Sequence, residues 1–368
     1  MTTDAIALPG EVASDRAAEV AVAGPPALRR PPLANATFMR ALLVVGLVAP
    51  FVCARAFSEF TDTVLVQVMI AAITVAGLHL LVHWTGQISL AQVAFMGVGA
   101  MVTARANADF SVPLPAAILL GVAGAVVASL VIGLPALRIR GLALAIITLA
   151  FGFAATRWLF LRPWLAPLAA GLPIHDRHLF GFDVTQSRQL IIPIGVIGVA
   201  VIALTTRLGS SPVGRALRMV ASDEEVASAS GIGVAGHKLF AFLYAGACAG
   251  LAGAFTVVSI GRVGPGAFPV SRSVLYLGAV LFGGPGPLVG PLQAAAGFAA
   301  FPVIFRSLGR YVDLIGPLSI LLVVTVSPAG INGVAHMAET AVARRLHRHR
   351  PPSPNGTGST AELEGDAP

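Results

Sequence analysis

Charged residues are scarce in this chain of 368 amino acids: Asp, Glu, Lys and Arg together make 11%. A soluble globular domain carries roughly 25%. The deficit excludes an assembly of two or three soluble domains, which the length alone would allow. Lysine is almost missing; Lys238 stands alone and every other basic side chain of that pair is arginine. A phosphate-binding loop needs Lys directly after its second glycine, then Ser or Thr for magnesium. Gly231 and Gly236 have that spacing, but His237 stands in the lysine position and Leu239 follows Lys238. No nucleotide site of that type is written here, so ATP, if used, binds to another polypeptide. There are two cysteines, Cys53 and Cys248, both inside apolar runs, which gives no disulfide framework. His79 and His83 stand four apart and share a helix face, yet no Asp, Glu or Cys joins them as metal ligands. No clustered acid, histidine or nucleophile supports an enzyme, and no catalytic residue is assigned.

What the chain does have is apolar length. Hydrophobic residues make 56% and the mean hydropathy is +0.84. Several runs reach the ~20 residues that cross a bilayer as a helix. Ten crossings are predicted, near 38–54, 63–82, 86–104, 114–137, 141–161, 189–206, 239–260, 273–284, 287–305 and 312–327. The class is an all-α polytopic membrane protein of about ten transmembrane helices. The segment 273–284, followed by Gly283-Gly284-Pro285-Gly286, is too short for a regular span and is expected to be short, broken or re-entrant. Residues 1–35 read as a disordered tail, 36–332 as the membrane domain, and 333–368 as a basic then low-complexity tail.

The net charge of +7 sits mostly at the ends of apolar runs, which is a topology signal rather than a nucleic-acid footprint. A cytoplasmic N-terminus puts Arg29, Arg30, Arg138, Arg140, Arg207, Arg215, Arg218 and Lys238 inside. Ten crossings then return the cluster Arg344, Arg345, Arg348 and Arg350 to the same side. Crossings two to five begin outside and seven to ten begin inside, so two four-helix units of opposite orientation would form an inverted repeat.

Polar residues inside the runs are few and uncharged: Gln67, Gln87, Ser89, Gln92, Thr148, Tyr276 and Gln293. A proton- or sodium-coupled carrier usually keeps an ionisable group at membrane depth. These groups suit a neutral or zwitterionic solute. Gly246, Gly250 and Gly253 form a small-residue face that predicts close helix packing. The one polar block between long apolar runs, 207–238, must lie in water. It carries Arg215 and Arg218 before Asp223, Glu224 and Glu225, and ends at Gly231, as an amphipathic helix open to a soluble partner would.

Four blocks then carry a family likeness. They are Trp84-Thr85-Gly86-Gln87-Ile88-Ser89-Leu90 with Ala94-Phe95-Met96-Gly97; Leu137-Arg138-Ile139-Arg140-Gly141-Leu142 with Thr148 to Gly152; Gly214-Arg215-Ala216-Leu217-Arg218 through Gly231 to Lys238; and Gly278 to Gly284 with Gly290-Pro291 and Ser327-Pro328-Ala329-Gly330. In this order, over roughly residues 63 to 332, the chain resembles the LivM-type permeases of branched-chain amino-acid ABC importers.

The resemblance implies a permease subunit for small amino acids in a bacterial inner or plasma membrane, with both termini cytoplasmic. The partners it implies are a second, LivH-like permease, two cytoplasmic ATPase subunits holding ATP and magnesium, and an extracytoplasmic substrate-binding protein. It makes 207–238 the coupling loop, with Arg215, Arg218, Glu225, Ala227 and Gly231 as ATPase-coupling residues. The polar residues of family-like blocks, Ser89, Gln92 and Thr148, are expected along the substrate pathway with Tyr276 near it. Leu142 where the family often has an aromatic, and Phe153-Ala154 where it commonly has Glu, leave urea, short amides or another small solute as alternative cargo. A stand-alone secondary carrier is the alternative of another class.

Overall fold

The computed structural model describes residues 59–284, apart from 140, 166–170, 180, 181 and 185. The crossings expected near 38–54, 287–305 and 312–327, and both tails, lie outside the described residues.

Helices account for most of the described chain. They are α1 (Glu59–Thr85), α2 (Gln92–Phe110), α3 (Leu114–Ala136), α4 (Leu142–Arg157), α5 (Ser187–Ser210), α6 (Pro212–Ser222), α7 (Glu224–Ala229), α8 (Val234–Ile260) and α9 (Ser271–Gly283). Among the described residues, five stretches are long and apolar enough to cross a membrane: Asp62–Thr85, Leu114–Ala136, Ala143–Leu161, Arg188–Ser210 and Val234–Ile260. With 13 residues, α9 is about 20 Å long at 1.5 Å per residue, short of the ~30 Å hydrocarbon layer. The crossing expected at 86–104 is displaced. Its helix begins at Gln92 and runs to Phe110, because the chain leaves helical geometry at Gly86, where φ is +67° and only glycine is at ease.

α8 is the central helix and lies against α1, α2 and α3. The seam is built from residues without bulk. A Cβ on Gly250 would meet Ala125 of α3, one on Gly246 would meet Ser129, and one on Gly253 would strike the Met96 carbonyl of α2. Gly99 faces the Gly250 backbone, where a Cβ would stand 2.5 Å from its carbonyl oxygen. The close packing expected of Gly246, Gly250 and Gly253 is what the helices do: in lipid, association depends on van der Waals contact, and small residues let backbones approach. Around the seam a continuous core includes Phe95, Phe160, Phe242 and Phe255. α5 packs on α1.

Short strands, absent from the sequence expectation, decorate one end of the bundle. β1 (Leu172–Pro173) pairs antiparallel with β4 (Arg262–Val263), and β2 (His178–Leu179) pairs with β3 (Phe182–Asp183). Two-residue strands have no periodicity to read. Asn107, near the end of α2, fixes this connector: its Oδ1 accepts from the His175 and Asp176 amides at 2.9 and 3.1 Å, and its Nδ2 donates to the carbonyls of Val112 and Asp176. The opposite end, where α1 finishes and α8 begins, carries α6 and α7.

Candidate functional site

Apart from exposed Gly86, the break between α1 and α2 is buried or half-buried rather than looped out. Gln87, Ser89, Ala91 and Gln92 are all within the bundle. Thr85 Oγ1 returns to the Leu81 carbonyl at 2.5 Å, and the Gly86 and Gln87 amides bond back to Val82 and Leu81. These contacts close the end of α1. The backbone that follows is held by side chains from elsewhere, since a buried amide without a partner is costly. The Leu90 amide donates to Thr148 Oγ1 of α4 at 2.9 Å. The Val93 amide donates to Ser273 Oγ of α9 at 3.1 Å, and the Ala91 amide to Ser89 Oγ at 3.4 Å. Gln92 Nε2 donates to the Ala245 carbonyl of α8 at 3.1 Å. One short break thereby joins α2, α4, α8 and α9.

Of the four residues expected along a pathway, Ser89, Gln92 and Thr148 meet at this break, each with no exposed surface. Tyr276 is buried in the second turn of α9, the helix that supplies Ser273. The hydrogen-bonding capacity here is not used up. Gln92 Oε1 and both amide atoms of Gln87 are buried without a protein partner. Gln67 differs: it faces outward on α1. Ser273 was missed by the sequence reading because a serine at a helix start is unremarkable, and only the fold aims it at Val93.

His79 and His83 also lie beside this region. Their rings are 4.6 Å apart, and His83 Nε2 is 3.2 Å from the Val280 carbonyl of α9. His79 is buried with neither ring nitrogen bonded to protein. Among the described residues no group of three His, Cys, Asp or Glu is arranged to hold a metal.

At the end of α1 the polar block folds as two helices rather than one. Ser211 Oγ accepts from the Gly214 amide to open α6, and Pro212 takes the first helical position, where its missing N–H costs nothing. Asp223 breaks the run in an extended conformation and caps α7, its Oδ1 accepting from the Glu225 and Val226 amides at 2.8 and 3.1 Å. Gly231, at φ +79°, turns the chain toward α8. The five residues expected to couple divide into two sets. Arg215, Arg218, Glu225 and Gly231 are exposed. Ala227 is fully buried against its own chain. Arg218 turns back: its Nη2 donates to the Gly209 carbonyl at 2.8 Å and its guanidinium lies 5.7 Å from the centre of the Trp84 ring. Partial burial and the nearby Arg215 charge lower the Arg218 pKa from its ordinary value.

The sequence reading also missed the ion pair between Lys238 and Glu224. The ammonium at the start of α8 is 2.5 Å from the carboxylate at the start of α7, with side-chain exposures of 4% and 22%. The signal was present in the chain's single lysine, but a 14-residue separation does not announce a contact.

Residues 60–326 match the family model described as "Branched-chain amino acid transport system / permease component". The chain belongs to this family. It is 26% identical over 336 residues to the High-affinity branched-chain amino acid transport system permease protein LivM of Salmonella typhimurium, a match covering 82% of this chain and 77% of that protein. The LivM protein of Escherichia coli K12 matches with the same identity and coverage. No solved structure matches the chain. The family match starts at residue 60 and ends at 326, so it contains the buried break and the α6–α7 block and leaves both tails outside.

Proposed function

We propose that this chain is the permease subunit of an ATP-driven importer whose cargo is a small, neutral, zwitterionic amino acid of the branched-chain class. The observation that carries the reading is a family match spanning a buried break, in which uncharged polar groups keep unused hydrogen-bonding capacity. Ser89, Gln92 and Thr148, with Tyr276 beside them, form the route. An unwound segment offers backbone polar groups to solute at membrane depth, which regular helices cannot do. The Gln92 amide oxygen accepts from a passing ammonium, and hydroxyls serve a carboxylate. The absence of formal charge keeps the hold weak enough for release.

Energy enters from outside this chain. Two cytoplasmic ATPase subunits bind ATP and magnesium, a second LivH-like permease completes the pore, and an extracytoplasmic binding protein delivers the solute. Both termini of the chain are cytoplasmic, as is the α6–α7 block. Arg215 and Glu225 form the outer, ATPase-facing side of that block, Gly231 keeps its end slim, and Ala227 holds it to the membrane domain. Arg218, though exposed, is engaged with Gly209 and Trp84.

The test is reconstitution in proteoliposomes with all partners, following uptake and ATP turnover together. Leucine-class substrates are expected to enter only with ATP and the binding protein. Glu225→Lys reverses an outward charge and Gly231→Trp adds bulk to a position of positive φ; both are expected to keep the subunit inserted and to separate hydrolysis from uptake. Uptake by this chain without ATP or a second subunit would establish a secondary carrier instead.

A further inference from the structure

We propose that Arg218 is a positioning residue for the break, acting through Trp84, so that α6 sets the geometry of residues 86–92. The inference deepens the permease reading and rests on it.

Three contacts meet at Trp84. The indole is 2% exposed and sits against Gly209 at the end of α5, where a Cβ would come 2.7 Å from its ring carbon Cη2. Arg218 covers the ring at 5.7 Å, within the ~6 Å at which a cation is attracted to the face of an indole. The same guanidinium donates to the Gly209 carbonyl at 2.8 Å. Arg218 therefore holds α5, α6 and the last turn of α1 in one arrangement. No shorter side chain reaches both partners.

The end of α6 lies near the break. Ala221 stands one turn after Arg218, on the same side of the helix. Its carbonyl oxygen and Cβ are the atoms nearest to where a Gly86 side chain would begin, at 3.9 and 4.0 Å. Gly86 is where φ turns positive and α1 ends. Leu90, Ala91 and Val93, whose amides are held by Thr148, Ser89 and Ser273, follow within seven residues. The buried positions of α6 are Gly214, Leu217 and Val220, and Arg218 and Ala221 are exposed alongside Arg215, Met219 and Ser222. A load applied to α6 reaches Gly209 and Trp84 through the Arg218 contacts. Gln87, next in sequence and buried with both amide atoms unbonded to protein, has hydrogen bonds to gain in a second position of the break, as a two-position element requires.

The test uses the full complex, with Ile88→Cys as reporter in a chain whose Cys53 and Cys248 are replaced. Thiol modification of the reporter is timed with and without ATP, alongside uptake, ATP turnover and co-purification of the ATPases. The reporter chain alone is expected to change its modification rate on ATP addition. Arg218→Gln and Trp84→Ala are expected to keep the ATPases bound and hydrolysing, to cut uptake about tenfold, and to flatten the ATP response of the reporter; the loss is that of one charged hydrogen bond and one cation–π contact. Arg218→Lys, which keeps the charge but not the fork, is expected to fall between. Should Trp84→Ala fail to insert, Trp84→Phe keeps a ring and is expected to retain at least half of the ATP response. An unchanged reporter response and unchanged uptake in Arg218→Gln overturn the inference while leaving the permease reading intact. Loss of ATP-dependent uptake in the unsubstituted complex overturns the permease reading itself. Loss of ATPase binding in Arg218→Gln overturns the inference too, since Arg218 would then act at the docking contact.

Discussion

The pair of Lys238 and Glu224 offers a quantitative test of how α7 is held. The two partners are unequally buried, at 4% and 22% side-chain exposure, so removing one is not equivalent to removing the other. With an effective dielectric near 20, opposite charges at 4 Å attract by about 4 kcal/mol, and much of this is offset by the desolvation of the ammonium. Glu224→Gln leaves a buried cation beside a neutral amide, a change that costs about 3–5 kcal/mol. Lys238→Met leaves a carboxylate with partial access to water and replaces the lysine stem with similar apolar volume, so its cost is about 1–2 kcal/mol. The double substitution removes the stranded charge and recovers most of the loss. Hydrogen exchange of amides in 224–238 reads these costs locally. At tenfold per 1.4 kcal/mol, Glu224→Gln is expected to speed exchange by about 100-fold or more, Lys238→Met by about 5–30-fold, and the pair together by less than about tenfold over the unsubstituted chain. Equal effects of the single substitutions, or additive effects in the double, would refute a buried, coupled pair.

Other perturbations probe the bundle and the route. Gln92→Leu is expected to lower uptake at least about tenfold while the ATPases still co-purify, because it removes the donor to Ala245 and the unused acceptor together; unchanged uptake would reduce Gln92 to a packing residue. Gly253→Val drives a side chain into the Met96 carbonyl and is expected to cost about 1–3 kcal/mol or more, read as a lower thermal midpoint of the purified protein, whereas Gly236→Ala, with nothing nearby, leaves the midpoint unchanged. Asn107→Ala strands two connector amides and is expected to cost about 1–3 kcal/mol, seen as faster proteolysis between 172 and 184. In that connector the His178 side chain, 2.8 Å from Asp176, and next its backbone amide hold the Asp176 carboxyl below its ordinary value. The support from that depressed pKa is complete above the unfolded value of about 3.9 and is lost as pH falls through the lower folded one, so protease resistance is expected to be insensitive to Asp176 from pH 5 to 8 and to drop in stronger acid.

Long apolar runs made α1, α3, α4, α5 and α8 legible, because bilayer thickness fixes a length that composition displays directly. The start of α2 was not, since 86–91 is apolar enough to read as helix and its departure depends on the positive φ of one glycine. Ser89, Gln92 and Thr148 stood out as polar groups in apolar surroundings. Their meeting needed the fold, because Leu90 and Thr148 are 58 residues apart. The polar block was recognisable by charge, but its division at Asp223 was not: an acid within a charged run reads as helix surface until its oxygen is seen capping the next turn. Arg218 shows the same limit. An arginine in a water-exposed segment looks available to a partner, and only the positions of Gly209 and Trp84 reveal that it is engaged.

The glycine seam of α8 has a mechanical consequence. Long side chains act as springs, absorbing displacement by changing rotamer. Backbones in direct contact have no such compliance. Where Gly250 meets Gly99 and Gly253 meets Met96, α2 cannot tilt without carrying α8, and through Ala125 and Ser129 α3 goes with them. The stiffness of this trio leaves the deformation in any transport cycle to its lightly attached neighbour. That neighbour is α4, which reaches the break through the hydroxyl of Thr148. Its ties to the block also include the Phe95–Phe151 ring contact, 5.8 Å between centroids, and side-chain contacts of this kind can give where the backbone seam cannot.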